Sequence, residues 1–151
     1  MHITELIKSV PHQYIETKHY AIFLPHKDKT LQNIIVIGEC DVSRTYFGSP
    51  SIHAEHDALM KLLKYKNRPN VLDLIVVRYS KTGKLGASRP CYNCIKKLEY
   101  CVKKYNINIH SIYYSTQEGY IIKEQLKNML ESETTYISGG FRKYAFKIIN
   151  N

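Results

Sequence analysis

Two short stretches hold the residues best suited to chemistry: His53-Ala54-Glu55, and Cys91-Tyr92-Asn93-Cys94 with Pro90 directly before it. One imidazole and two thiolates make a three-ligand set for zinc of the catalytic kind, which leaves a fourth position for water. Glu55 follows the histidine by two residues. It is too close in sequence to serve as an independent ligand arm, yet it can reach a water at that fourth position and shuttle its proton.

Two helices must position these groups. Cys91 and Cys94 stand three residues apart, so on a helix they share a face and can grip one ion together. They open the pattern Cys91, Cys94, Ile95, Leu98, Cys101, Val102, Tyr105. There the helix dipole and free N–H groups favour thiolates over thiols, and Pro90 sets the start of the helix. His53 and Glu55 open a second amphipathic run with Ala54, Ala58, Leu59, Leu62 and Leu63 on one stripe, and Ser49 or Ser51 is placed to cap it. A Cys-x-x-Cys pair alone would fit a redox couple or half of a structural zinc site equally well.

Taken together the stretches form the pattern H-x-E then P-C-x-x-C, the signature of zinc deaminases. On these residues the chain resembles the cytidine deaminase-like superfamily from about Lys18 to Leu130. The resemblance implies an α/β fold of three layers, α/β/α, around a mixed five-stranded sheet. It implies that His53, Cys91 and Cys94 bind Zn2+, and that Glu55 takes a proton from the attacking water and delivers it to the ring nitrogen. The amine on the attacked carbon leaves as ammonia and a carbonyl remains. A cytosine nucleoside or nucleotide is the implied substrate, and a homo-oligomer the implied assembly.

Gly38 to Arg44 resembles the family segment that ends the second strand and offers an Asn to the substrate ribose. Here the Asn position falls on Val42, which cannot hydrogen-bond a hydroxyl. Asp41 or Ser43 would take over with a small shift of register, and Arg44 either meets a phosphate or is a plain loop residue. Ala54, Ser88, Arg89 and Tyr92 complete the candidate substrate contacts. Arg89 either steers a phosphate, softens the charge of the thiolates, or lies on the surface. Tyr46, Phe47 and Tyr92 either stack on a base or pack in the core or at the rim. His56 would exclude water as a fourth ligand, so it is expected behind the site or on the surface. Cys40 and Cys101 are expected to pack as structural residues.

The whole chain sets bounds on this reading. Its 151 residues suit one domain with a core of its own, residues 134–151 forming a tail. No leader-like stretch and no long apolar run occurs, and two of the four cysteines stand in ligand spacing, so a soluble protein of a reducing, cytoplasmic compartment is expected. The net charge of +9 admits a nucleic-acid partner. Yet the lysines are scattered, and the runs at Lys61 to Lys66, Lys96-Lys97 and Lys103-Lys104 fall on polar helix faces.

Along the chain, Met1 to Tyr14 reads as a helix outside the sheet, and Tyr20 to Leu24 with Asn33 to Gly38 reads as a hairpin. Val71 to Tyr79 reads as a central strand covered on both faces, with Ile107 to Tyr114 the next strand. Ser115 to Gly119 is of turn length, so the strands on either side should be antiparallel, and Lys123 to Glu131 should form a helix. An antiparallel last pair resembles the free-nucleoside members of the superfamily, whereas editors of tRNA or single-stranded DNA run that strand parallel. Three functions therefore stand: a deaminase of free cytosine compounds, a nucleic-acid editing deaminase, and a silent zinc scaffold.

Overall fold

The computed structural model describes residues 3–9, 18–40 and 53–131. Among them are helices α1 (Ile3–Ser9), α2 (Ala54–Leu63), α3 (Tyr92–Tyr105) and α4 (Leu126–Glu131), with strands β1 (Lys18–Pro25), β2 (Val36–Glu39), β3 (Val71–Tyr79), β4 (Leu85–Gly86), β5 (Asn108–Ser115) and β6 (Ile121–Glu124). The candidate contacts Asp41, Ser43 and Arg44, together with Val42, Tyr46, Phe47, Ser49, Ser51 and the 134–151 tail, lie outside the described residues.

The strands form one open mixed sheet in the order β2-β1-β3-β5-β6. β1 is antiparallel to both its neighbours, β3 and β5 run parallel, and β5 and β6 are antiparallel, as the short Ser115 to Gly119 connection requires. Gly119 carries the turn at φ +88, a conformation side-chain-bearing residues rarely adopt. The expected five strands become six among the described residues. Leu85–Gly86 folds back antiparallel on Arg78 and Tyr79, occupying the edge of β3 beyond the reach of β5. That residue pair is too short to announce itself by alternation.

β1 and β3 are buried on both faces, which explains their unbroken apolar sequences. Ala21, Phe23, Leu72, Leu74 and Val76 face α2, α3 and α4, packing with Ala58, Leu62, Ile95, Leu98 and Met129. Tyr20, Ile22, Leu24, Ile75 and Val77 face the other way, onto Leu6 and Ile7 of α1. Helices thus cover both faces. The last helix begins at Leu126, because Lys123 and Glu124, expected to be helical, continue β6 in register with Tyr113 and Ile112.

Candidate metal centre

Both motif-bearing helices begin at a candidate ligand. His53 is the N-cap of α2 and Cys91 the N-cap of α3, both in extended conformation, and their carbonyls accept the first helical bonds from Asp57 N–H and Ile95 N–H at 3.0 Å each. Neither cap uses its side chain to close the helix, and imidazole and thiol turn toward each other. Cys94 follows within the first turn of α3. At its far end α3 stops at Asn106, in the left-handed conformation at φ 52 that asparagine tolerates.

α2 is set by close backbone packing. A Cβ on Gly38 of β2 would stand 2.3 Å from the Ala54 carbonyl oxygen and 2.4 Å from Ala58 N. Asp57 accepts from Glu39 N–H at 3.0 Å and pairs with Lys61 at 3.0 Å, while Lys61 donates to the Ile37 carbonyl at 2.9 Å. These contacts hold the start of α2 over the end of β2.

The outcome is a convergence of His53, Cys91 and Cys94, whose ligand atoms all lie within 4.8 Å of one another. His53 Nδ1 is 3.5 Å from Cys91 Sγ and 3.3 Å from Cys94 Sγ. A tetrahedral zinc with ordinary Zn–S and Zn–N bonds would set S···N edges of about 3.6 Å. The donor atoms are therefore already spaced to hold a metal ion. Without a metal, the Cys94 thiol donates to Cys91 and, with His53, holds the Cys91 thiol down at about 4. The same hydrogen bond and burial push Cys94 up, and the bond to Cys91 raises His53. A cation entering would replace the Cys94 and His53 protons.

Glu55 is buried beside these groups, and burial pushes its carboxyl up to about 6, with the Cys91 charge adding to the effect. Above the centre lies a cavity of about 530 Å³ lined by His19, His53, Glu55, Arg78, Arg89 and Cys91, among others. That is room for a small organic ligand.

The remaining candidates divide. Arg89 lines the cavity, but its Nε donates to Glu124 Oε2 at 3.1 Å and its guanidinium lies 6.0 Å from the Tyr114 ring centre. Ser88 also lines it, yet its hydroxyl donates to the Val76 carbonyl at 2.7 Å and accepts from Ser115 N–H at 2.8 Å, so it ties the loop to β3 and β5. The Ala54 side chain is buried in the core. Tyr92 is 39 % exposed, outside the cavity lining, with Lys96 Nζ 5.8 Å from its ring centre. His56 turns away from the centre, its Nδ1 3.0 Å from Lys97 Nζ in the groove between α2 and α3. Cys101 packs against the core, whereas Cys40, expected to be structural, lines the cavity.

His19 and Arg78 are the lining residues that sequence reasoning missed. They are register partners across β1 and β3. A signal existed: they extend the alternating stripes Ala21, Phe23 and Leu72, Leu74, Val76 past the point where the stripes stop being apolar. His19 Nε2 is buried without a hydrogen-bond partner among the described residues. Burial, then Arg78 and His53, lower the His19 imidazole to about 4, so it is neutral at ordinary pH.

A second convergence, His26, Asp73 and His110, is of another kind. The wholly buried Asp73 carboxylate accepts from Lys29 Nζ at 2.9 Å, Ser111 N–H at 3.0 Å and His26 Nδ1 at 3.1 Å, and the two histidine rings stack at 3.8 Å. An ammonium already supplies the cation there, so this cluster anchors β1, β3 and β5.

No family model matches the chain, and searches of curated proteins and of solved structures find no match either. Among the described residues no helix is long and apolar enough to cross a membrane.

Proposed function

We propose that this chain is a zinc-dependent hydrolytic deaminase that converts the exocyclic amine of a cytosine nucleoside or nucleotide to a carbonyl, giving the uracil compound and ammonia. One observation carries the reading: His53, Cys91 and Cys94 converge at tetrahedral spacing, with the Glu55 carboxylate buried beside them under an accessible cavity. The donor set of one nitrogen and two sulfurs suits zinc. A zinc ion held there supplies a Lewis acid that makes water a nucleophile at neutral pH.

Glu55 moves the protons. Its carboxylate accepts a proton from the attacking water and hands it to the ring nitrogen next to the amine-bearing carbon. The second water proton follows to the amine, so that the C–N bond breaks with ammonia as leaving group and the carbon keeps the oxygen. In the cavity wall, His19 Nε2 offers the bound compound a polar contact that Val42 cannot supply.

The nucleic-acid reading draws support from the net charge of +9. The antiparallel β5–β6 pair weighs against it, because that arrangement resembles the free-nucleoside deaminases. A silent scaffold would gain support from a protein ligand in the fourth metal position or from a plugged pocket; His56 Nδ1 lies against Lys97, and a cavity stands over Glu55.

The test compares zinc-loaded wild type with Glu55→Ala on cytidine, deoxycytidine, their monophosphates, the adenosine compounds, tRNA and single-stranded DNA, reading exchange of amine for oxygen by mass spectrometry. A free cytosine compound should be converted by wild type only, while both proteins carry one zinc per chain. Absence of any Glu55-dependent conversion with zinc bound would overturn the proposal.

A further inference from the structure

The wall of the cavity changes character at Arg78. This residue lines the cavity over the metal centre and also a second hollow of about 310 Å³, shared with Ser80, Lys84, Leu85, Gly86 and Gln117. The two hollows therefore share one side chain, Arg78. The second hollow is made by the β3–β4 hairpin. Ser80 N–H donates to the Lys84 carbonyl at 2.8 Å, Gly83 N–H to the Ser80 carbonyl at 2.9 Å, and Lys84 N–H to Ser80 Oγ at 3.2 Å. These bonds fix Lys84 relative to Arg78, whose stem runs over Gly86.

Charge distinguishes this rim from the rest of the site. Arg78 and Lys84 are exposed and form no ion pair among the described residues, whereas Arg89 is held by Glu124. Among the described residues no carboxylate lines the second hollow, and Glu55 is the only one lining the first. An exposed guanidinium and ammonium lining one hollow, on a chain of net charge +9, make a field that draws an anion, and the guanidinium fork matches phosphate oxygens.

We propose that Arg78 and Lys84 bind a phosphate group of the substrate, so that the metal centre acts on a cytosine bearing a phosphate in preference to a bare nucleoside. The inference rests on the deaminase reading above for the base, and on the hairpin for the phosphate. The phosphate can belong to a free nucleotide or to the phosphodiester of a single strand, and the experiment separates the two.

Binding is measured on the full, zinc-loaded chain carrying Glu55→Gln, which holds substrate without completing turnover, by isothermal titration with cytidine, cytidine 5′-monophosphate, inorganic phosphate and a short single-stranded oligodeoxynucleotide containing one cytosine. The same titrations are run with Arg78→Ala, Lys84→Ala, both together, and the charge-keeping Arg78→Lys, each checked for folding by circular dichroism. The monophosphate should bind about 10- to 100-fold more tightly than cytidine, the range set by hydrogen bonds to a charged group. That ratio should fall to within about threefold in the double variant and be largely kept by Arg78→Lys. Equal affinity for nucleoside, monophosphate and oligonucleotide, or a preference that survives the double variant, overturns the proposal. A preference shown only by the oligonucleotide, and lost in the double variant, supports the phosphate contact with a polymer as its source. Failure of every cytosine compound to bind, with inorganic phosphate bound by the parent and lost in the double variant, upholds the phosphate contact while sinking the deaminase reading.

Discussion

Gly38 and Ala54 meet backbone to backbone: a Cβ on the glycine would stand 2.3 Å from the Ala54 carbonyl oxygen. Ala54 lies between the candidate ligand His53 and the candidate proton carrier Glu55, so this approach of β2 to α2 sets where both side chains stand. The candidate metal centre is thus positioned by a residue that touches none of its chemistry.

Gly38→Ala should therefore damage fold and site together. The nearest three atoms, Ala54 O, Ala58 N and Ala58 Cα, are all backbone, so no side chain can swing aside. The loss should exceed about 3 kcal/mol, the upper end of ordinary overpacking, and appear as a fall in melting temperature of roughly 10 °C or as failure to fold. A melting temperature and zinc stoichiometry equal to wild type would show that β2 and α2 are not packed this closely.

Removing the metal, or one ligand, should cost stability because the donor atoms are gathered mainly in the folded chain. Chelation of the zinc-loaded protein should lower its melting temperature. Cys94→Ser should weaken zinc binding by at least about 100-fold, since a hydroxyl replaces a thiolate, as read by competition with a chromophoric chelator. Zinc uptake should release protons from Cys94 and His53, so affinity should fall as pH is lowered. Affinity that did not change between pH 8 and pH 6 would count against thiolate ligation.

The sequence made some of this arrangement legible and left some hidden, for physical reasons. The convergence of His53, Cys91 and Cys94 was readable because metal chemistry constrains both residue type and spacing. Val71 to Tyr79 was readable because a strand buried on both faces must be apolar throughout. β4 was not, because two residues have no period. α4 was expected three residues too early, since Lys123 and Glu124 suit an exposed edge strand as well as a helix, and only the register with β5 decides between them. His19 and Arg78 were overlooked because their role depends on the pairing of β1 with β3, a long-range relation that no local pattern contains. Ser88 was placed among the substrate contacts by its nearness to Cys91, but its partners are Val76 and Ser115.

Ser88→Ala consequently should act on the scaffold. It removes a buried hydroxyl that donates to the Val76 carbonyl and accepts from Ser115 N–H, leaving both groups without that partner, at a cost of about 1–3 kcal/mol. The melting temperature should drop accordingly. An unchanged melting temperature with a raised KM would instead make Ser88 a substrate contact.

His19 should leave its mark on the pH dependence of stability. Burial, Arg78 and His53 depress its folded pKa to about 4, below the unfolded value of 6.5. Between these values the unfolded chain binds the proton more readily, so the contribution of His19 to stability is fully present above about pH 6.5 and is lost as pH falls toward 4. The size of the loss is on the order of 3 kcal/mol. His19→Gln cannot take up this proton, so its stability should decline less between pH 6.5 and pH 4.5. Urea unfolding of the two metal-free proteins across that range isolates the effect, because zinc release is absent from both and the other titrating groups are shared. Parallel curves would place His19 in contact with solvent and remove it from the wall of the cavity.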